Sequence, residues 1–235
     1  EFLIGDPRVT AIGLHIEGID DVQRFSIAAI RALEAGIPIV VIKTGRSARG
    51  AEINMSHTAS LAGEDRLYEA LFKRLGIARC NTVVQFLETL KFLSGVGVFP
   101  DNTLGSMSCS GGEASLIADC ADSVGLEMPL LTHASAAELT NILGPKVPLS
   151  NPLDYHTYAW GDHEKLKNCF SAMLRNQFAC TILVLDYPTR ATADTSNWEV
   201  AERALTEAIA ETGERAVIVS TLPETMPAEA RQRLK

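Results

Sequence analysis

VTAIGLHIEGIDDVQRFSIAAIRALEAGIPIVVIKT, residues 9–44, decides the fold. Its first segment, Val9–Glu17, is mostly apolar with polar residues only near its ends, the pattern of a strand. Asp20 or Asp21 offers a carboxylate to cap a helix. Val22, Phe25, Ile27, Ala28, Ile30 and Leu33 then recur at roughly helical spacing, and Gly36 supplies a stop. Pro38–Thr44 is a continuous β-branched run, as expected of a strand covered on both faces. Strand, helix and strand joined by short turns make a βαβ unit, which predicts parallel pairing and a right-handed crossover.

Downstream, Gly45–Gly63 breaks this pattern. It is rich in Gly, Ser, Ala and Arg and leaves the C-terminal end of the second strand, the edge where parallel α/β sheets bind ligands. It reads as a loop. Helices are expected over Glu64–Leu75, closed by Gly76, and over Thr82–Leu93. A second module starts after Gly95: strand Leu104–Cys109, helix Glu113–Val124 with Gly125 as its stop, short strand Met128–Leu131, and helix Ala134–Leu143. Asn151–Asp154 reads as loop. Helix Asp162–Asn176, strand Cys180–Asp186, helix Trp198–Thr212 and strand Ala216–Ser220 complete the chain. Strands alternating with helices throughout predict an α/β fold of two doubly wound parallel-sheet modules, residues 1–94 and 95–235.

The chain has 235 residues, enough for one large or two small cores, with 46% hydrophobic and 21% charged residues. Its net charge of −8 disfavours polyanions, so neither nucleic acid nor an anionic membrane is an expected partner. Five cysteines form an odd set without a CxxC pair, which suggests neither a disulfide framework nor zinc and fits a reducing cytoplasm. No signal peptide or membrane-length apolar stretch is present in the sequence. EFLIGDP reads like the end of a helix and PAEARQRLK like the middle of one, so a piece of a longer protein is expected.

Three features fall at the ends of expected strands. Ser110-Gly111-Gly112 opens a helix. It is either a tight turn or an anion cradle, in which glycines let the backbone approach and free amides meet a phosphate. His57 lies in SHTASLAG, residues 56–63, among small residues and without Cys, Asp or Glu at metal-ligand spacing; no metal site is indicated. An exposed loop residue is one reading. The other is a nucleophile toward phosphorus, since Ser56, Thr58, Ala59 and Ser60 leave room for a bulky anion. Glu17 is either a solvated strand end or a carboxylate that takes the proton of the far imidazole nitrogen. His15, His133, His156 and His163 read as structural. Asp186-Tyr187-Pro188 and Trp198 are candidates to border a substrate pocket.

Gly45-Arg46-Ser47 followed by SHTASLAG resembles the phosphohistidine loop of the NDP-forming (ADP-forming) acyl-CoA synthetases, relatives of succinyl-CoA synthetase. The usual form is SHTGSLAG; Ala59 stands here for Gly. The strand ending in Glu17-Gly18 is similar to the family strand whose glutamate hydrogen-bonds the active-site histidine. Ser110-Gly111-Gly112 falls where a second flavodoxin-like domain presents a helix N-terminus, and Asn151-Pro152-Leu153-Asp154 resembles the family's NPxD segment after that domain's second strand. The resemblance implies two flavodoxin-like, CoA-ligase-like modules, the first lacking its N-terminal part. His57 and Glu17 would be catalytic, and Ser110, Gly111 and Gly112 phosphate-binding.

The reaction implied makes acyl-CoA from a carboxylic acid, CoA and ATP through a phosphohistidine and an acyl phosphate. His57 would be carried between distant sites on the mobile stretch Gly45–Gly63. ATP or ADP with Mg2+ and CoA belong to the full-length protein; this piece alone would bind none of them completely. The implied partners are CoA-binding and ATP-grasp domains, in the same chain or another subunit, and a small carboxylic acid; a homodimer through exposed apolar faces is a further expectation. The alternatives are a non-catalytic acyl-CoA-sensing module of a protein-acetyltransferase-type protein, against which the retained histidine argues, and an interaction scaffold.

Overall fold

The computed structural model describes residues 1–58, 64–189 and 193–234; the side chains of 54–58 and of 223 lie outside that description. The chain divides into two compact units, Glu1–Val98 and Phe99–Lys235.

In the first unit, β1 (Ile12–Ile16), β2 (Ile39–Lys43) and β3 (Ala78–Cys80) form a parallel sheet in that order. The register pairs Ile16 with Lys43, so both strands end together. Between β1 and β2 runs α1 (Val22–Glu34), capped by Asp21, whose carboxylate accepts the Arg24 amide at 2.8 Å. Alternation along the strands sends Ile12, Leu14, Ile16, Ile39 and Val41 to one face. There they meet Phe25, Ala29 and Ala32 of α1 and Tyr68 and Phe72 of α3 (Asp65–Arg74). On the other face α4 (Val83–Val96) lies directly on β1. A Cβ on Gly13 would stand 2.6 Å from Leu90 Cδ1 and 2.8 Å from Phe86 Cζ, so only glycine permits this approach.

The second unit has four parallel strands in the order β5 (Leu153–Asp154), β4 (Leu104–Ser108), β6 (Cys180–Val184), β7 (Ala216–Val219). Met107, Leu153 and Leu183 face a core shared with α6 (His133–Leu143), α7 (His163–Leu174) and α8 (Ser196–Thr212). Leu104, Cys180, Ile182 and Val184 pack on the opposite side with Ile117 of α5 (Gly111–Val124). Helices on both faces of a parallel sheet make this a doubly wound, flavodoxin-like module. α9 (Ala228–Arg233) is fixed by Arg233, which donates to the buried Glu202 of α8 at 2.8 and 2.9 Å, while Tyr187 donates to the same carboxylate at 2.6 Å.

Four expectations change. Gly45–Gly63 is not all loop: Ala48–Thr58 is helix α2. Gly45 turns at φ 71°, Ser47 caps the helix by accepting the Gly50 amide at 3.1 Å, and no proline interrupts the residues of α2. Met128–Leu131 is not a strand. Pro129 lacks an amide, and only Glu127 bridges, to Thr103. The place beside β4 belongs instead to Leu153–Asp154, within the segment read as loop. Just ahead of it the Asn151 side chain docks on the sheet, accepting from the Ser106 amide and donating to the Leu104 and Pro129 carbonyls. Finally, β3 is only Ala-Arg-Cys, too short and too polar to show as a strand in the sequence.

Candidate active site

Glu17 is the residue after β1, at the C-terminal edge of the first sheet and half-buried. The Thr44 amide donates to the Ile16 carbonyl at 3.0 Å, which holds the ends of β1 and β2 together. Thr44 Oγ1 lies 3.2 Å from His15 Nε2. From this edge the Gly45-Arg46-Ser47 turn leads into α2. The turn is tight: a Cβ on Gly50 would stand 3.2 Å from both Gly45 Cα and Ser47 Oγ. Arg46 donates to Asn81 at 2.6 Å and lies 3.8 Å from Asp65, so the turn is tied to β3 and α3. His57 is the penultimate residue of α2; its side chain, and Ala59 to Gly63, lie outside the described residues.

Lys43 went unread in the sequence because it closes an otherwise apolar run. It is only 3% exposed, donates to the Thr44 carbonyl, and holds its ammonium 4.6 Å over the Tyr68 ring. Burial pushes its pKa down; Asp65 opposes this, Arg79 adds to it and Glu17 opposes it.

In the second unit, Ser110 is the N-cap residue of α5, and its side chain makes no cap bond. Gly111 and Gly112 begin the helix exposed, so their amides form the donor set an anion needs. Asp154, the last residue of β5, adjoins this start: a Cβ on Gly111 would stand 3.2 Å from its Oδ2. His156 follows at φ 54°, with its amide on Asp154 Oδ1 at 2.9 Å and its Nδ1 3.6 Å from Oδ2. It lies at the sheet's C-terminal edge rather than in the core. The segment Asn151-Pro-Leu-Asp was its only signal in sequence.

Glu113, in the first turn of α5, has a buried Oε2 without a partner among the described residues. Burial raises its pKa, and Asp186 and Asp154 raise it further. The same surroundings push the Cys109 thiol up to about 11, chiefly by burial. The amides therefore fit a phosphoryl oxygen, while the carboxylates around them oppose a full dianion; the raised proton affinity of Glu113 lessens that opposition. No group of three or more His, Cys, Asp or Glu among the described residues is arranged to hold a metal ion.

The polar groups of Asp186, Tyr187 and Trp198, read as a pocket border, are engaged in hydrogen bonds within the unit. Burial pushes the Asp186 carboxyl up, but the Thr221 and Ser220 hydroxyls and the Thr221 and Leu222 amides together hold it below its usual range. Trp198 donates to the Asp186 carbonyl at 2.6 Å and stands edge-on to Trp160 at 5.2 Å. Tyr187 is spent on Glu202.

Residues 1–93 match the family described as "Succinyl-CoA ligase like flavodoxin domain". The acetate–CoA ligase (ADP-forming) of Methanocaldococcus jannaschii is 33% identical over 154 residues, 66% of this chain and 22% of that protein. The alpha subunit of acetate–CoA ligase (ADP-forming) II from Pyrococcus furiosus is 33% identical over 162 residues, 69% of this chain and 35% of the subunit. The chain belongs to the ADP-forming acyl-CoA synthetase family. It spans about a fifth to a third of the length of these two relatives.

The fold of the family accounts for nearly all of this chain. An acetyl-coenzyme A synthetase from Ca. Korarchaeum cryptofilum, solved in complex with phosphate and ADP, superposes with a TM-score of 0.80 at 24% identity, over 99% of this chain and 49% of its own. Among the described residues of this family member, no helix is long and apolar enough to cross a membrane.

Proposed function

We propose that this chain is the phosphohistidine-bearing part of an enzyme that makes acyl-CoA from a small carboxylic acid, CoA and ATP. His57 would accept the nucleotide's γ-phosphoryl group and pass it to the acid, giving an acyl phosphate that the CoA thiol attacks. The observation that carries this reading is the edge of the first sheet. Glu17 follows β1 there, and the Gly45–Ser47 turn launches α2, with His57 near its end, from the adjoining end of β2.

The chemistry assigned to this chain's residues is limited. The imidazole forms the N–P bond as the P–O bond to the nucleotide breaks. Glu17 takes a hydrogen bond from the other ring nitrogen, which orients the ring and stabilises its positive charge. Because His57 lies on a helix, its movement between sites would involve a displacement of α2. Ser110, Gly111 and Gly112 would hold phosphoryl oxygens by backbone amides and the positive end of α5. CoA and nucleotide binding are assigned to sequence outside this chain, in the same polypeptide or another subunit. So is Mg2+, for which the described residues offer no cluster.

The test is labelling of the full-length protein with γ-labelled ATP. The expected label is acid-labile, alkali-stable and absent from His57→Ala. Undiminished label in that variant would refute the assignment.

A further inference from the structure

Over its described side chains, helix α2 lies on the surface. None of Ala48–Ile53 is buried, and Ile53 is 52% exposed. Arg49 pairs with Glu52 at 3.2 Å, within the helix itself. The root of the helix is different. The chain leaves β2 through Gly45, at φ 71°, and folds back so tightly that a Cβ on Gly50 would meet Gly45 Cα at 3.2 Å. Arg46 then reaches two other elements. Its Nη1 donates to Asn81 Oδ1 at 2.6 Å, just after β3, and its Nε lies 3.8 Å from Oδ2 of Asp65, the first residue of α3. Asn81 is itself held, since its amide donates to Gln85 Oε1 at 3.1 Å in the first turn of α4.

Arg46 stands just before α2 in the chain and Asp65 after it, so their contact joins the points from which the helix departs and to which the chain returns. Arg46 is not needed to hold α3 on β3. Asp65 also takes Arg79 at 2.6 Å, and Arg79, whose side chain is 8% exposed, takes Glu69 at 2.7 Å. Loss of Arg46 therefore leaves neither Asp65 nor Arg79 without a partner. The Arg46 side chain is 45% exposed, so its bridge can break and re-form at modest cost, and the charged bond to Asn81 is the stronger half. A helix of 11 residues is marginal in water by itself, so a single bridge at its root is enough to decide whether it keeps its pose.

We propose that Arg46 is the latch of α2. Its guanidinium, bridging Asn81 and Asp65, holds the helix at the C-terminal edge of the first sheet, and turning of α2 about Gly45 breaks that bridge. The latch stands on this geometry alone; that the helix it holds delivers a phosphoryl group rests on the phosphohistidine reading above.

The test is hydrogen exchange, read by mass spectrometry on the full-length protein without nucleotide, for the wild type, Arg46→Ala, Asn81→Ala and the double variant. Each single substitution should speed exchange over residues 46–58 about fivefold, the scale of one exposed charge-assisted hydrogen bond. Because both remove the same bond, the double variant should exchange no faster than the faster single one. Peptides over residues 65–80 should be unchanged, since Asp65 keeps Arg79.

Wild-type exchange over residues 46–58 in Arg46→Ala overturns the proposal. So does a double variant in which the two effects multiply, or acceleration that spreads equally through residues 65–80. If Arg46→Ala does not fold, wild-type exchange in Asn81→Ala overturns it. Phosphoryl labelling of the same wild type is scored separately: absence of label defeats the phosphohistidine reading, whereas label on His57 with unchanged exchange in the variants defeats the latch.

Discussion

At the scale of single residues, two positions carry constraints that composition hides. Gly13 is small because α4 lies on β1 there. Gly13→Ala should force Leu90 and Phe86 aside and lower the unfolding free energy by about 1–3 kcal/mol; an unchanged denaturation midpoint would contradict that packing. Glu113 carries a raised pKa, first from burial and then from Asp186 and Asp154. Such a group contributes fully to stability below its unfolded pKa, and the contribution is lost as pH rises through the folded value. Glu113→Gln should therefore raise the thermal midpoint at neutral pH and leave it nearly unchanged in acid below the ordinary glutamate range. An equal effect at both pH values would show that burial of the charge is not the cause. The places of Glu17, after a strand, and of Ser110, Gly111 and Gly112, at a helix start, were legible because strand ends and helix starts are readable. Lys43 and His156 were not, since each owes its setting to contacts between separate elements.

At the scale of elements, β2 and β6 were plain in sequence because continuous β-branched and aliphatic runs mark strands covered on both faces. β5 was missed for the opposite reason. It has two residues, and its neighbourhood is held by the Asn151 side chain, which no periodicity reports. Helix α2 was missed because glycines and serines suggested a loop, whereas Ser47 serves as a cap. Ser47→Ala should cost α2 about 1 kcal/mol of local stability. Faster hydrogen exchange confined to the amides of the first turns of α2 would be the sign, and unchanged exchange would argue against the cap.

For the whole molecule, the structure resolves two units whose parallel sheets each end in an edge bearing candidate groups. Burial of thiols follows the cores. Cys80, Cys169 and Cys180 are buried, burial raising the pKa of Cys169 to about 12 and that of Cys180 to about 11; Cys109, raised to about 11, is half-buried, and Cys120 is exposed. Titration of the native protein with a thiol reagent at mildly alkaline pH should modify Cys120 first, Cys109 more slowly, and the three buried thiols, Cys80, Cys169 and Cys180, only on unfolding. Rapid modification of Cys169 would contradict the second core. Family membership and the α/β architecture were readable from the loop motif and the βαβ pattern. The charge arrangement at the sheet edges needed coordinates, because Glu113, Asp154 and Asp186 are far apart in sequence.

The most direct measurement is localisation of the phosphoryl group by mass spectrometry, under alkaline conditions, after the full-length protein is incubated with ATP. The account predicts one modified peptide, containing His57, with the phosphoryl group on the imidazole. A phosphoryl group on any other residue with His57 unmodified, or none on the protein at all, would contradict it.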